Sequence, residues 1–284
     1  MRAVVIGDNI VDLFVEQGQA SIGGNCLNVA VHLHRLGIST HYIGSVGDDE
    51  VGLAVIDALT QEGLAVDGIE RIPGRPTGYA RIHHVNGERY FADFDRGASA
   101  VSPSVRQWAA VDGASIIHTS YSSLLEDALP RLASIAPVSF DFDAHIDDAY
   151  ARTLMPHVSH AFFSAAGHAP ADLKDYAGRL LSGGVETVTT TLGNEGALHF
   201  RSSGAWEQSS SRITAVDTLG AGDAFIAVML ASILNDQAPH ESMAQATIRA
   251  AEVCKSVGSL GLFIGANLVH EHISPHGRQR EKMS

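Results

Sequence analysis

Two aspartates bracket a turn with almost no side chains in VDTLGAGDAF, residues 216–225. Val216 can end an extended run, Gly220, Ala221 and Gly222 make a tight turn, and Asp223-Ala224-Phe225 opens an apolar helical pattern. A helix start leaves backbone N–H groups without partners and carries partial positive charge. With only glycine and alanine before it, an anion such as a phosphoryl group can reach those donors. A carboxylate beside that cradle repels the anion unless it has a task, and accepting a proton from an attacking hydroxyl is one. Asp is also a favoured helix cap. Spacing alone leaves both roles open.

Other chemistries find less support. No GxxxxGK[ST] occurs, which excludes a P-loop, and no GxGxxG follows the first apolar run. Fifteen histidines raise the question of a metal. However, His32/His34 and His83/His84 do not share a helix face, and no HExxH occurs. Cys26 and Cys254 lack CxxC spacing and read as buried free thiols of a reducing, cytoplasmic protein. The net charge of −13 disfavours a nucleic-acid surface but leaves a small phosphorylated ligand open, since local amides can hold it. No apolar run approaches the length of a membrane span or a signal-peptide core, so no membrane partner is expected.

The elements that must position this chemistry alternate along 284 residues. AVVIG (3–7), SIIHTS (115–120), VSFDFD (138–143), HAFFSA (160–165) and ETVTTTLG (186–193) read as strands buried on both faces. In GGNCLNVAVHLHRLG, Cys26, Val29, Ala30, Leu33 and Leu36 form a helical stripe that Gly37 ends. Helical patterns also cover 50–62, 123–135, 171–181, 223–234 and 242–257. The alternation predicts a doubly wound, mostly parallel α/β sheet flanked by helices, with its crevice at the carboxyl ends of the strands. YARIHHVNGERYFADF (79–94) breaks the rule. Asn86-Gly87 is a hairpin signal, and such a hairpin projects as a lid or pairs with another subunit. The polar residues 269–284 read as a tail.

Taken together, DTLGAGDAF and the earlier IGGNCLNVAVHLHRLG resemble the two signatures of the ribokinase-like, or PfkB, carbohydrate kinases. The resemblance spans residues 1 to about 265 and implies a ribokinase-like domain over 1–268, with lid strands near 12–22 and 77–97. It implies an ATP-dependent sugar kinase, a phosphotransferase with an alcohol acceptor. Asp223 would be the catalytic base, and Gly220, Ala221 and Gly222 the anion hole. GDNIVDLF and the GGN segment would supply substrate contacts through Asp8, Asn9, Asp12, Gly23, Gly24, Asn25 and Asn28, with Arg96 just after the lid. TLGNEG would be the nucleotide loop through Thr191, Gly193 and Gly196, joined by Gly258. GDDEVG (47–52) matches the step after the second strand.

The resemblance also implies Mg²⁺ with the ATP, a K⁺-type cation near Asp217, Leu219, Ser256 and Gly261, and a homodimer formed through the lid. One departure stands out. Where many members carry NxxE, linked to Mg²⁺, this chain reads FFSAAGHAPAD. Within the family, GDN-x-VDL, SIGGNCLNVAV and GDDEVG resemble kinases that phosphorylate fructoselysine at the 6-position. The acidic balance is compatible with such an ammonium-bearing substrate. Fructokinase, ribokinase and 2-keto-3-deoxygluconate kinase specificities stay open, as does a non-catalytic sugar-binding regulator.

Overall fold

The structure, a computed structural model, describes residues 1–85, 88–100, 102–146 and 149–273. The chain begins with β1 (Arg2–Ile6), β2 (Ile10–Phe14), β3 (Gln19–Gly23), α1 (Asn25–Arg35), β4 (Ser39–Gly47), α2 (Glu50–Glu62) and β5 (Ile69–Ile72). It continues through β6 (Tyr79–Val85), β7 (Glu88–Asp95), α3 (Val105–Ala109), β8 (Ile116–Ser120), α4 (Leu129–Ala133), β9 (Val138–Asp141) and α5 (Ala149–Leu154). Then follow β10 (His160–Ser164), α6 (Pro170–Ser182), β11 (Thr187–Thr191), β12 (Ala197–Arg201) and β13 (Gly204–Gln208). The last elements are α7 (Ala221–Leu234), α8 (Pro239–Val253), β14 (Phe263–Ile264) and α9 (Ala266–Ile273).

Nine strands form one sheet in the order β13-β12-β11-β10-β9-β8-β1-β4-β5. Neighbours from β5 to β11 are parallel, and β12 and β13 close that edge antiparallel. The chain steps outward from β1 through β4 and β5, then returns to β8 and builds the other half. Strand order therefore reverses between β1 and β8, and a crevice opens beyond their carboxyl ends. The pleat splits the inner strands between two cores. Ala3 and Val5 face the core under α1, α2, α7 and α8, whereas Val4 and Ile6 face the one under α4, α5 and α6.

Helix α7 is buried from Ala224 through Ser232 and packs against α1 and α8. Because it is apolar all round, it must be enclosed. That enclosure carries its N-terminus, with Asp223, to the crevice beside α1.

A second sheet of β14-β3-β2-β6-β7 is the lid. Val11, Leu13, Ala20 and Ile22 join the first core with Leu268 and Val269 of α9. The register partners Asp12 and Ser21 lie on the sheet's other face. The Asn86-Gly87 turn falls outside the described residues.

Several expectations change. The 123–135 pattern is not one helix: Leu124 is left-handed (φ 53°), and regular helix begins only at Leu129, with Pro130 in its first turn. Helix α1 stops at Arg35, leaving Leu36 exposed, and α8 stops at Val253. The strand expected over 138–143 ends at Asp141, since Asp143 turns left-handed (φ 51°). Residues 269–273 are helical, with Val269 buried, where a polar tail was expected. Residues 274–284 lie outside the described set.

Candidate active site

Gly220 is the N-cap of α7, left-handed at φ 79°, and no side chain caps the helix. A Cβ on Gly220 would lie 2.3 Å from the Cβ of Ser259, whereas one on Gly222 would meet nothing within 4 Å. The turn is closed on its inner side and open on its outer side. The Ala221 amide donates to the Thr218 carbonyl at 3.3 Å, and the next first-turn amides, Gly222 and Asp223, which no helix satisfies internally, face an anion that reaches the turn.

Asp223 follows. Its Oδ2 accepts the Asn28 amide Nδ2–H at 2.7 Å, and Ser259 Oγ donates to Asn28 Oδ1 at 2.8 Å. The residue keeps some surface, yet burial of its carboxyl pushes the pKa well above the usual carboxylate range. The charges of Asp141, Asp8 and Asp143 push the same way, and the Asn28 hydrogen bond opposes them. A carboxylate raised in this way is a stronger base than a free one.

The N-terminus of α1 holds a second carboxylate. Asp8, just beyond β1, accepts the amides of Asn25 at 2.8 Å and Cys26 at 3.3 Å, and the hydroxyls of Ser120 at 3.2 Å and Ser123 at 3.1 Å. Those hydroxyls come from the end of β8 and the turn after it, so Asp8 bolts the two halves of the switch point together. Gly24 sits at φ 107°, where a Cβ would lie 2.5 Å from Asn9 Cα. Asn25 donates Nδ2–H to Asp141 Oδ2 at 2.9 Å, and the Asp143 amide donates to Asp141 Oδ1 at 3.0 Å. Burial raises Asp141 to about 6.

Asn9 departs from the sequence expectation. It is 2% exposed and donates to Tyr42 Oη at 3.0 Å and the Ser45 carbonyl at 2.9 Å. Its side chain faces the interior and braces β1 against β4, because β1 and β4 are paired directly beneath it.

Asp12 does reach the site. A Cβ on Gly23 would lie 2.7 Å from Asp12 Oδ2, 3.2 Å from Ser259 Oγ and 3.8 Å from Asn28 Oδ1. Asp12, Gly23 and Asn28 from one end of the chain and Gly220 and Asp223 from the other therefore meet around Ser259. Arg96 lies at the base of the lid, donating to the Ser122 carbonyl with its guanidinium 5.3 Å over the Phe94 ring.

Thr191 ends β11, and Gly193 and Gly196 occupy the turn into β12. A Cβ on Gly196 would lie 2.0 Å from the Gln208 carbonyl oxygen. This loop lies on the same sheet edge as Asp8, with β8, β9 and β10 between their strands. Asp217 accepts the amides of Leu219 and Gly258, each at 3.0 Å, tying the turn before α7 to the 256–261 loop that also holds Ser256 and Gly261. Gly258, at φ 78°, has no room for a Cβ beside Ser21 Oγ.

Sequence reasoning passed over Ser259, Ser120, Ser123, Asp141 and Asp143. The paired carboxylates in VSFDFD, at the end of a buried strand, were a usable signal. Ser259, the second serine of SVGSLG, carries none.

The fold and site define a class: a doubly wound α/β protein that sets a basic carboxylate and an open helix N-terminus under a β lid. Residues 11–262 match the profile described as pfkB family carbohydrate kinase. The chain belongs to that family. It is 33% identical over 266 residues to the fructosamine kinase FrlD of Bacillus subtilis, covering 92% of this chain and 93% of that protein. It is 32% identical to the fructoselysine 6-kinase of Shigella flexneri, covering 89% and 97%. Among solved structures, Arabidopsis thaliana ribokinase complexed with ribose and ATP aligns over 95% of this chain and 98% of its own, with a TM-score of 0.81 at 20% identity. That likeness bears on the fold.

Proposed function

We propose that this sugar kinase transfers the γ-phosphate of ATP to the 6-hydroxyl of a fructosamine, a ketose carrying an amine-linked aglycone such as the lysine of fructoselysine. One observation carries the chemistry: a desolvated, Asn28-bonded Asp223 stands in the first turn of a helix whose Gly220–Gly222 approach is open. The choice of sugar rests on the fructosamine and fructoselysine kinases to which most of the chain is similar.

Asp12, Gly23 and Asn28 hold the sugar, and Asp223 takes the acceptor hydroxyl's proton as the new bond to phosphorus forms. The first-turn amides of α7 and its positive end stabilise the negative charge on the transferring group. Arg96, fixed at the lid base, faces the aglycone. Thr191, Gly193, Gly196 and Gly258 line the nucleotide's side, and lid closure excludes water as a competing acceptor.

A divalent ion fits this site. Asp8 and Asp143 push the carboxyls of Asp141 and Asp223 toward the protonated form, with Asp141 acting on Asp223 as well, and a cation relieves that repulsion. Among the described residues no three His, Cys, Asp or Glu side chains could hold a metal ion together. Mg²⁺ would therefore ride on the phosphates, with Asp141 and Asp143 facing it in the role that NxxE fills elsewhere. Bound there, it neutralises phosphate charge. The monovalent cation belongs at the junction that Asp217 makes between Leu219 and the 256–261 loop. We place a homodimer contact on the lid, whose Phe94 is 51% exposed.

The test is ADP release with fructoselysine, fructose, ribose and 2-keto-3-deoxygluconate. Fructoselysine should give the highest kcat/KM, and Asp223→Asn should lower kcat by about 10²–10⁴-fold while sugar and ATP still bind. A different preferred sugar would replace the substrate assignment. Undiminished turnover by the variant would remove the base.

A further inference from the structure

We infer that Ser259 is a positioning residue for the phosphoryl transfer, fixing the Asn28 amide so that its N–H, and not its C=O, meets the base. The inference rests on Asp223 being that base.

The two ends of an asparagine amide are nearly the same size, so packing alone does not choose between them. Beside a carboxylate the choice matters. With Nδ2 toward Asp223 there is a hydrogen bond to a charged acceptor; with Oδ1 there, two acceptors face each other. Ser259 Oγ has a proton to give and places it on Asn28 Oδ1 at 2.8 Å, while Asn28 Nδ2 reaches Asp223 Oδ2 at 2.7 Å. Ser259 is 2% exposed and Asn28 3%, so bulk water cannot readily substitute for the hydroxyl. The relay occupies Oδ2 of Asp223, which leaves Oδ1 to receive the sugar's proton.

Ser259 is itself locked. Its Cβ lies 2.3 Å from where a Cβ on Gly220 would be, and its Oγ 3.2 Å from a Cβ on Gly23. The preceding residue, Gly258, is left-handed and bonded to Asp217. Ser259 thus packs its Cβ against the anion-hole turn at Gly220 and sets its hydroxyl beside Gly23 at the lid's root and on the base's partner, Asn28. A Cβ at Gly220 would displace it, and one at Gly23 would crowd its hydroxyl.

The charged and titratable groups around Asp223 are Asp8 beyond β1, Cys26 on α1, and Asp141 and Asp143 at the end of β9. Asp12 on β2 stands beside Asn28 and Ser259 at the Gly23 corner. Burial and the charges of Asp141, Asp8 and Asp143 disfavour ionisation of Asp223, and the Asn28 donor is the contact that opposes them. Weakening that donor should make Asp223 harder to ionise.

The experiment measures kcat, sugar KM and the pH profile of kcat for Ser259→Ala and Ser259→Cys, with ATP and either fructoselysine or fructose. Thermal melts check folding, and Asp223→Asn provides a second background. We expect Ser259→Ala to lose about 10-fold or more in kcat, as for loss of about one hydrogen bond to a charged group. Sugar KM should change by less than about threefold, and the acid limb of kcat should move to higher pH. Ser259→Cys, a weaker donor of similar shape, should fall between. In the Asp223→Asn background, Ser259→Ala should have no further effect.

Wild-type kcat in a folded Ser259→Ala would overturn the relay. So would a loss confined to KM with the acid limb unmoved, which would make Ser259 a sugar contact. If Asp223→Asn alone keeps full activity, the base assignment fails first and the relay with it. An inactive Asp223→Asn beside an unaffected Ser259→Ala removes only the relay.

Discussion

Replacing Asp141 by asparagine should make this protein more stable at neutral and alkaline pH and leave its stability near pH 4 almost unchanged. Asp141 is 8% exposed as a residue, and its carboxyl is raised from 3.8 to about 6, chiefly by burial. The folded chain therefore keeps a proton that the unfolded chain has already lost. Stability associated with this group is full below about pH 4 and declines as pH rises through about 6. The interval between 3.8 and 6 corresponds to about 3 kcal/mol, the cost of ionising Asp141 in place. Asparagine has no proton to lose.

Its hydrogen bonds can also be kept. The substituted carbonyl can accept the Asp143 amide that now donates to Asp141 Oδ1. The new NH₂ would face Asn25, whose Oδ1 is buried without a partner and becomes an acceptor when that amide flips. Urea unfolding of both proteins at half-unit steps from pH 4.5 to 8 gives the comparison. The variant's advantage should grow from about 1 kcal/mol at pH 4.5 to about 3 kcal/mol at pH 8. A difference independent of pH, or a variant less stable than wild type at pH 8, would show that Asp141 is not held protonated by burial.

Two further substitutions follow from the site. Gly220→Ala forces a left-handed alanine into Ser259, so kcat should fall by about 10²-fold or more, as when one oxyanion donor is removed. Preserved turnover would mean that the turn does not hold the transferring group. Asp12→Asn should raise sugar KM by about 10-fold, the worth of a charged hydrogen bond, and leave ATP KM unaltered. Equal shifts in both constants would place Asp12 outside the sugar pocket.

The order of the chain already contained the fold. Apolar runs with β-branched residues gave the inner strands because a sheet covered on both faces needs them. The all-apolar stretch after Asp223 marked α7 as an enclosed helix, since nothing else accommodates it. Gly220, Gly222 and Asp223 were legible for the same reason: a phosphate cradle is made by local backbone, and local backbone is written in consecutive residues.

Contacts between distant segments were not legible. That Ser259 meets Asn28, that Asp8 ties α1 to β8, and that Asn9 turns inward to Tyr42 depend on how strands and helices pack. A serine or asparagine has the same letter whether it binds ligand, scaffold or solvent. Likewise the rise in Asp223 and Asp141 comes from burial and from neighbours brought by other elements, which tertiary packing alone decides.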